Sequence, residues 1–236
     1  MSFSTNELRE SEAGNILDLE NDFPEESKSL RLKCINESKR DAEFGPMAAA
    51  YKLAFPERAK DLVVNQKELR ESLDKARKWG DLSNAVALKI LFPDIDPGVT
   101  DEEVENQIQE ALSARESSPD FFAQQLSDAK ILSPKKVEGV LKKEDFQLMI
   151  GALDQMRKEG NWEKFARHAS KVRILFPERN QDMGVTSEDV DKLNLLITGV
   201  MERPKTTQST DLLAATKILA SRDVNVPDEG GLELAI

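Results

Sequence analysis

The sequence predicts an all-α protein of tandem helical-hairpin repeats of about 40 residues, stacked as a short α-α superhelix with irregular ends. Three recurrences carry this. Phe-Pro-acid stands at Phe23-Pro24-Glu25, Phe55-Pro56-Glu57, Phe92-Pro93-Asp94 and Phe176-Pro177-Glu178. Degenerate copies at Ser133-Pro134 and Ala220-Ser221 complete spacings of 32, 37, 41, 43 and 44 residues. LDKARKWGD at Leu73–Asp81 returns as LDQMRKEGN at Leu153–Asn161, and Gly98-Val99-Thr100 returns as Gly184-Val185-Thr186. Segments 66–134 and 147–221 therefore read as two copies of a four-helix unit.

The elements follow in chain order. Residues 1–22 are polar and irregular. A first lobe of repeats spans 23–134 and opens with a helix around Ser27–Asp41, followed by Pro46–Phe55, which Pro56 closes. LRESLDKARKWG ends on Gly80, suited to a left-handed cap, and Asp81 follows as an N-cap. Thr100 and Glu103 form a capping box that opens the next helix, and Ser118-Pro119-Asp120 starts one running to Leu132. The second lobe spans 135–222, as a continuation of the same array; Pro134–Glu144 is the irregular place where the lobes would part. In this lobe Trp162, Phe165, Ala166, Ala169, Val172 and Phe176 recur at helical spacing and form one apolar stripe. Pro177 closes it, because the residue before a proline is pushed out of the α region. Thr186 with Glu188 and Asp189 is a looser capping box, and LLAATKILAS is the last helix. Residues 223–236 read as an acidic flexible tail.

Composition narrows the function classes. The 236 residues carry a net charge of −11, which opposes indiscriminate binding to nucleic acid or anionic membrane. The single Cys34 excludes an internal disulfide framework, and the N-terminal residues lack an apolar signal region, so the expectation is a cytoplasmic protein. No window approaches a membrane span. Charge is uneven: residues 134–173 hold 10 Lys+Arg against 6 Asp+Glu, a basic stretch between acidic flanks.

Candidate chemistry is sparse. No glycine-rich phosphate loop, G-x-S-x-G, H-E-x-x-H or C-x-x-C pair occurs, so no catalytic residue, cofactor or metal is indicated. Asp94–Glu105 resembles a calcium loop only until Pro97, Gly98 and Val99 occupy positions that need other residues. His168 has no second His or Cys to join it and reads as a solvated residue flanking the apolar stripe; Cys34 reads as packing. Lys164, Arg167 and Lys171 share the face opposite that stripe and, with His168, form a possible partner-binding basic face. The expected function is a non-enzymatic scaffold or adaptor that binds another protein or peptide along its superhelical face. A nucleic-acid binder using 135–173 is the alternative, and an enzyme with an unrecognised carboxylate site is the third reading.

Overall fold

The computed structural model describes residues 16–37, 44–77, 80–202, 210–221, 223–227 and 230–235. These are mostly helical: α1 (Glu25–Glu37), α2 (Phe44–Ala54), α3 (Gln66–Ala76), α4 (Ser83–Leu91), α5 (Asp101–Ala114), α6 (Pro119–Leu132), the short α7 (Pro134–Glu138), α8 (Lys143–Lys158), α9 (Trp162–Leu175), α10 (Ser187–Met201) and α11 (Thr210–Ala220). Two 3-10 turns, Pro56–Asp61 and Pro177–Met183, follow α2 and α9. A two-stranded antiparallel sheet, β1 (Asp223–Asn225) and β2 (Glu233–Ala235), ends the chain.

The helices form two layers. In the inner layer α2 packs on α4, α4 on α6, α6 on α9, α9 on α11, and α11 returns to α2. Outside them α1 lies on α2, α3 on α4, α5 on α6, α8 on α9, and α10 on α11. The sequence leads us to expect hairpins stacked as a short superhelix; the inner helices form a ring whose first and last members are neighbours. Periodicity says that hairpins stack; the angle between them depends on side-chain volumes. Ala48, Ala49 and Ala50 on α2 and Ala214 and Ala215 on α11 are all buried, and such small residues let the two backbones approach. The N-terminal segment fastens the join: Leu17 donates its N–H to Asn194 Oδ1 (2.9 Å), and buried Arg31 donates to Val200 O (2.9 Å). Ring contacts between α6 and α9 run straight across the Pro134–Glu144 stretch, where α7 packs on α6.

The Phe-Pro marks behave as stops. Phe55 (φ −134, ψ 69), Phe92 (−136, 76), Ser133 (−152, 78) and Phe176 (−130, 63) share one extended conformation at the ends of α2, α4, α6 and α9. Each N–H still reaches back four residues, and each residue is followed by proline, which disfavours a further helical turn. Without a proline α11 runs on, and Ser221 makes the equivalent bond to Lys217 O. Phe176 is buried edge-on to Phe146 at 5.3 Å, and the Arg179 guanidinium lies 3.7 Å from the centre of the Phe146 ring.

A basic residue precedes each stop by three: Lys52, Lys89, Lys130, Arg173 and, counting from Ala220, Lys217. Lys52 donates to Ile90 O (2.8 Å) and Leu91 O (3.0 Å), Lys130 to Leu175 O (2.9 Å), and Arg173 to Leu219 O and Ser221 O. Each of these satisfies carbonyls that the next inner helix leaves open at its C-terminus. The helix starts are matched too. Thr100 with Glu103, and Thr186 with Asp189, form complete capping boxes after Gly98 (φ 73) and Gly184 (φ 63).

Within the segment expected as an acidic flexible tail, 223–236, the described residues form the hairpin across the floor of the ring. Val224 is buried among Ile90, Ile131, Ile174 and Ile218, and the Gly231 N–H donates to Ile131 O (2.7 Å). The alternation Val224, Val226 and Leu232, Leu234 gives the hairpin one apolar face, which packs on that cluster. Likewise Leu19, in the segment expected to be irregular, is buried to 1% exposure.

Candidate functional site

The ring encloses a funnel of about 230 Å³. Taking Phe55, Phe92, Ser133, Phe176 and Ala220 as origins, the inner helices line it with the residues two, five, six and nine positions earlier, except that Ile218 of α11 lies in the buried cluster beside it. This is the one-sided spacing of an α-helix, repeated five times. The innermost tier, Leu53, Ile90, Ile131, Ile174 and Ile218, closes the floor together with Leu232 of the hairpin. The outermost tier, Pro46, Ser83, Gln124, Arg167 and Asp211, forms the rim at the mouth.

Between floor and rim the wall is two-sided. Helices α2, α4 and α11 present Ala49-Ala50, Val86-Ala87 and Ala214-Ala215, whereas α6 and α9 present Ser127-Asp128 and Ser170-Lys171. Asp128 accepts a hydrogen bond from Gln124 Nε2 at 2.6 Å, and burial pushes its carboxyl up to about 6. The Ser127 and Ser170 hydroxyls donate to Gln124 O and Arg167 O in their own helices, which leaves both oxygens as acceptors. Arg167 closes one side of the rim by pairing with Asp211 (2.6 Å) and Glu163 (3.4 Å), and Lys171 contacts Asp120 at 3.3 Å.

The four residues expected on an exposed basic face are dispersed. Lys164 is exposed; Arg167 and Lys171 turn toward the funnel and its acidic partners. His168 is fully buried, a correction to its reading as solvated. Its Nδ1 lies 3.1 Å from Asp120 Oδ1 and its Nε2 lies 3.1 Å from Met149 O, so it ties α6, α8 and α9 together. The physical reason for the correction is that α9 is an inner helix with neighbours on both flanks, so a residue beside its apolar stripe faces α8 instead of water. The hydrogen bond with His168, helped by Lys171, holds the Asp120 carboxyl down at about 2.

The rest of the basic stretch is largely engaged. Lys136 pairs with Asp101 and Glu105, Arg157 with Asp154 and Asp189, and Arg173 is buried. Among the described residues no three His, Cys, Asp or Glu converge as a metal site, and no helix is long and apolar enough to cross a membrane.

The sequence reading overlooked Gln124, Ser127, Asp128, Ser170 and Asp211. Their signal was a fixed offset from the Phe-Pro marks, visible only once those marks are used as a ruler. No family model, curated protein or solved structure matches the chain.

Proposed function

We propose that this chain is a non-enzymatic binding protein, an adaptor that engages a protein or peptide partner through the central funnel. The observation behind this reading is the wall of the funnel: an apolar floor, three alanine-rich sides and a charged rim, supplied by five different helices. Because the ring closes, the concave surface that an open superhelix would offer along its length is folded into this one cavity. Its volume lies below the roughly 300 Å³ at which pockets for drug-sized ligands begin, so it suits a single anchoring side chain or a molecule of that size. The rim pair Arg167–Asp211, and the Lys171–Asp120 pair below it, then meet polar groups that flank the anchor.

The test is a displayed random-peptide library panned on the intact chain, with the recovered peptides titrated against Ala215→Phe, which fills the funnel. Selection of peptides with one apolar anchor, bound at least about ten-fold more weakly by the folded variant, supports the reading. Equal affinity for both proteins overturns it.

A further inference from the structure

We infer that the funnel recognises the zwitterion of an apolar α-amino acid, its carboxylate on Lys171, its ammonium on Asp128 and its side chain on the isoleucine floor. This rests on the funnel being the ligand site.

Two charged side chains lie below the rim. The tier five residues before the helix stops consists of Ala50, Ala87, Asp128, Lys171 and Ala215, one acid and one base on adjacent helices, facing three methyl groups. Among the described residues Asp128 takes one hydrogen bond, from Gln124, and feels the charge of Lys171, whose ammonium, with three N–H donors, makes one hydrogen bond, to Asp120 Oδ1. Both groups keep unused capacity inside a narrow cavity.

A ligand with one charge cannot use both. A simple carboxylate would pair with Lys171 and face Asp128; a simple amine would pair with Asp128 and face Lys171. Like charges within a low-dielectric cavity repel strongly, and an unbalanced buried charge is costly. A molecule carrying both charges on one carbon, with zero net charge, meets each group with the right sign. The serine hydroxyls complete the match. Ser127 and Ser170 sit one position earlier, and each already donates to its own helix, so each accepts. With Asp128 they supply three acceptors for the three N–H bonds of an ammonium.

The apolar remainder of the ligand has its own place. Leu53, Ile90, Ile131, Ile174 and Leu232 offer branched aliphatic surface at the floor, and the alanines above them leave room for an aliphatic chain. A cavity of about 230 Å³ accommodates one amino acid and excludes a nucleotide.

Isothermal titration with L-leucine, 4-methylpentanoate and 3-methylbutylamine tests this. These probes share one apolar body and carry both charges, the anion alone or the cation alone. Leucine is expected to bind, and each half-charged analogue to bind at least about ten-fold more weakly, the loss of one charged hydrogen-bonded contact. Asp128→Asn and Ser170→Ala are expected to weaken leucine at least about ten-fold and a few-fold respectively, with cooperative thermal unfolding retained in both. The inference is overturned if leucine, isoleucine, valine and methionine all give no heat, or if either half-charged analogue binds as tightly as leucine. Should leucine not bind while library peptides bind and are lost in Ala215→Phe, the amino-acid assignment falls and the funnel reading stands. Leucine bound equally by folded Ala215→Phe overturns both.

Discussion

The Arg157 guanidinium holds the Asp189 carboxylate by two parallel bonds, Nε to Oδ1 and Nη2 to Oδ2, each 2.8 Å. The same arginine reaches Gly184 O at 3.2 Å. Eighty residues earlier Arg77 pairs with Glu103: its Nη2 donates to Oε2 at 3.0 Å and to Gly98 O, while its Nε lies 2.9 Å from Oε1. Arg115 forms an ion pair with Asp145 through its Nη2. In each case an arginine at the end of one outer helix grips the acid in the first turn of the next: α3 to α5, α5 to α8, α8 to α10. The C-terminus favours the cation and the N-terminus the anion, so the outer helices are joined end to end by pairs that both helix dipoles reinforce.

These clamps set a first prediction. Asp189 is 1% exposed, and Arg157→Ala leaves its carboxylate buried without its cation, which costs about 3 kcal/mol. Arg157→Lys recovers only part, because an ammonium lacks the planar fork. Disrupting the exposed Lys67–Glu71 pair, 3.9 Å apart on α3, costs under about 0.5 kcal/mol. Urea unfolding of the three variants ranks them. Burial alone would raise the Asp189 carboxyl, but hydrogen bonds from Arg157 and Thr186 hold it below its usual value. Its folded value is depressed, so its stabilisation is present above the unfolded range near pH 4 and is lost as pH falls. The penalty of Arg157→Ala therefore shrinks in acid.

Asp128 has the opposite sign. Its folded carboxyl is raised by burial to about 6, above the unfolded value of 3.8, so it opposes folding once it ionises. Stability falls as pH rises from about 4 through 6 on its account. Asp128→Asn removes that dependence and stabilises the protein at pH 8 by at most about 3 kcal/mol, with the gap closing below pH 4. Unfolding midpoints at both pH values decide it; a gap that does not change with pH contradicts the burial of this carboxyl.

Gly230 (φ 80) lies where a Cβ would fall 2.5 Å from Ile131 O and 3.1 Å from Leu132 O, both backbone atoms at the floor of the ring. Gly98 (φ 73) has open space around the same atom. Gly98→Ala should therefore cost only about 1 kcal/mol of backbone strain. Gly230→Ala adds a backbone clash and should unseat the C-terminal hairpin. The readout is limited proteolysis: faster cleavage near 223–235 in Gly230→Ala, unchanged cleavage in Gly98→Ala.

Much of this fold was legible because local chemistry dictates it. Pro56, Pro93, Pro134 and Pro177 stop helices wherever they stand, and Thr100 and Thr186 begin them, so stops and starts could be read without a partner in view. Closure was not legible. It depends on α2 packing on α11, on Arg31 reaching Val200 O and on Leu17 reaching Asn194, the last two contacts between residues more than 160 positions apart. The funnel was hidden for a related reason. Asp128 and Lys171 each read as one more charge on a charged helix, and only the ring makes them neighbours. The hairpin was missed because Val224, Val226, Leu232 and Leu234 form too short an alternation to stand out, and the surface they cover is created by five other segments.

His168 gives the clearest separation between the exposed-face reading and the buried one. On a solvated face, His168→Phe would be almost neutral. In the structure it leaves Asp120 Oδ1 and Met149 O without the imidazole, and it places a larger ring where the imidazole fits at 0% exposure. Two broken polar contacts and overpacking together cost about 3 kcal/mol or more. Asp120→Asn removes the carboxylate from the same pair, and its penalty carries a pH signature. The folded carboxyl sits at about 2, so its stabilisation is complete above the unfolded value near 3.8 and disappears as pH drops toward 2. Lys164→Ala, on the exposed neighbour, should stay within about 0.5 kcal/mol of the parent at every pH. Chemical denaturation of the three variants at pH 7 and pH 3 separates the cases; a His168→Phe protein as stable as the parent would mean that α9 does not turn this residue inward.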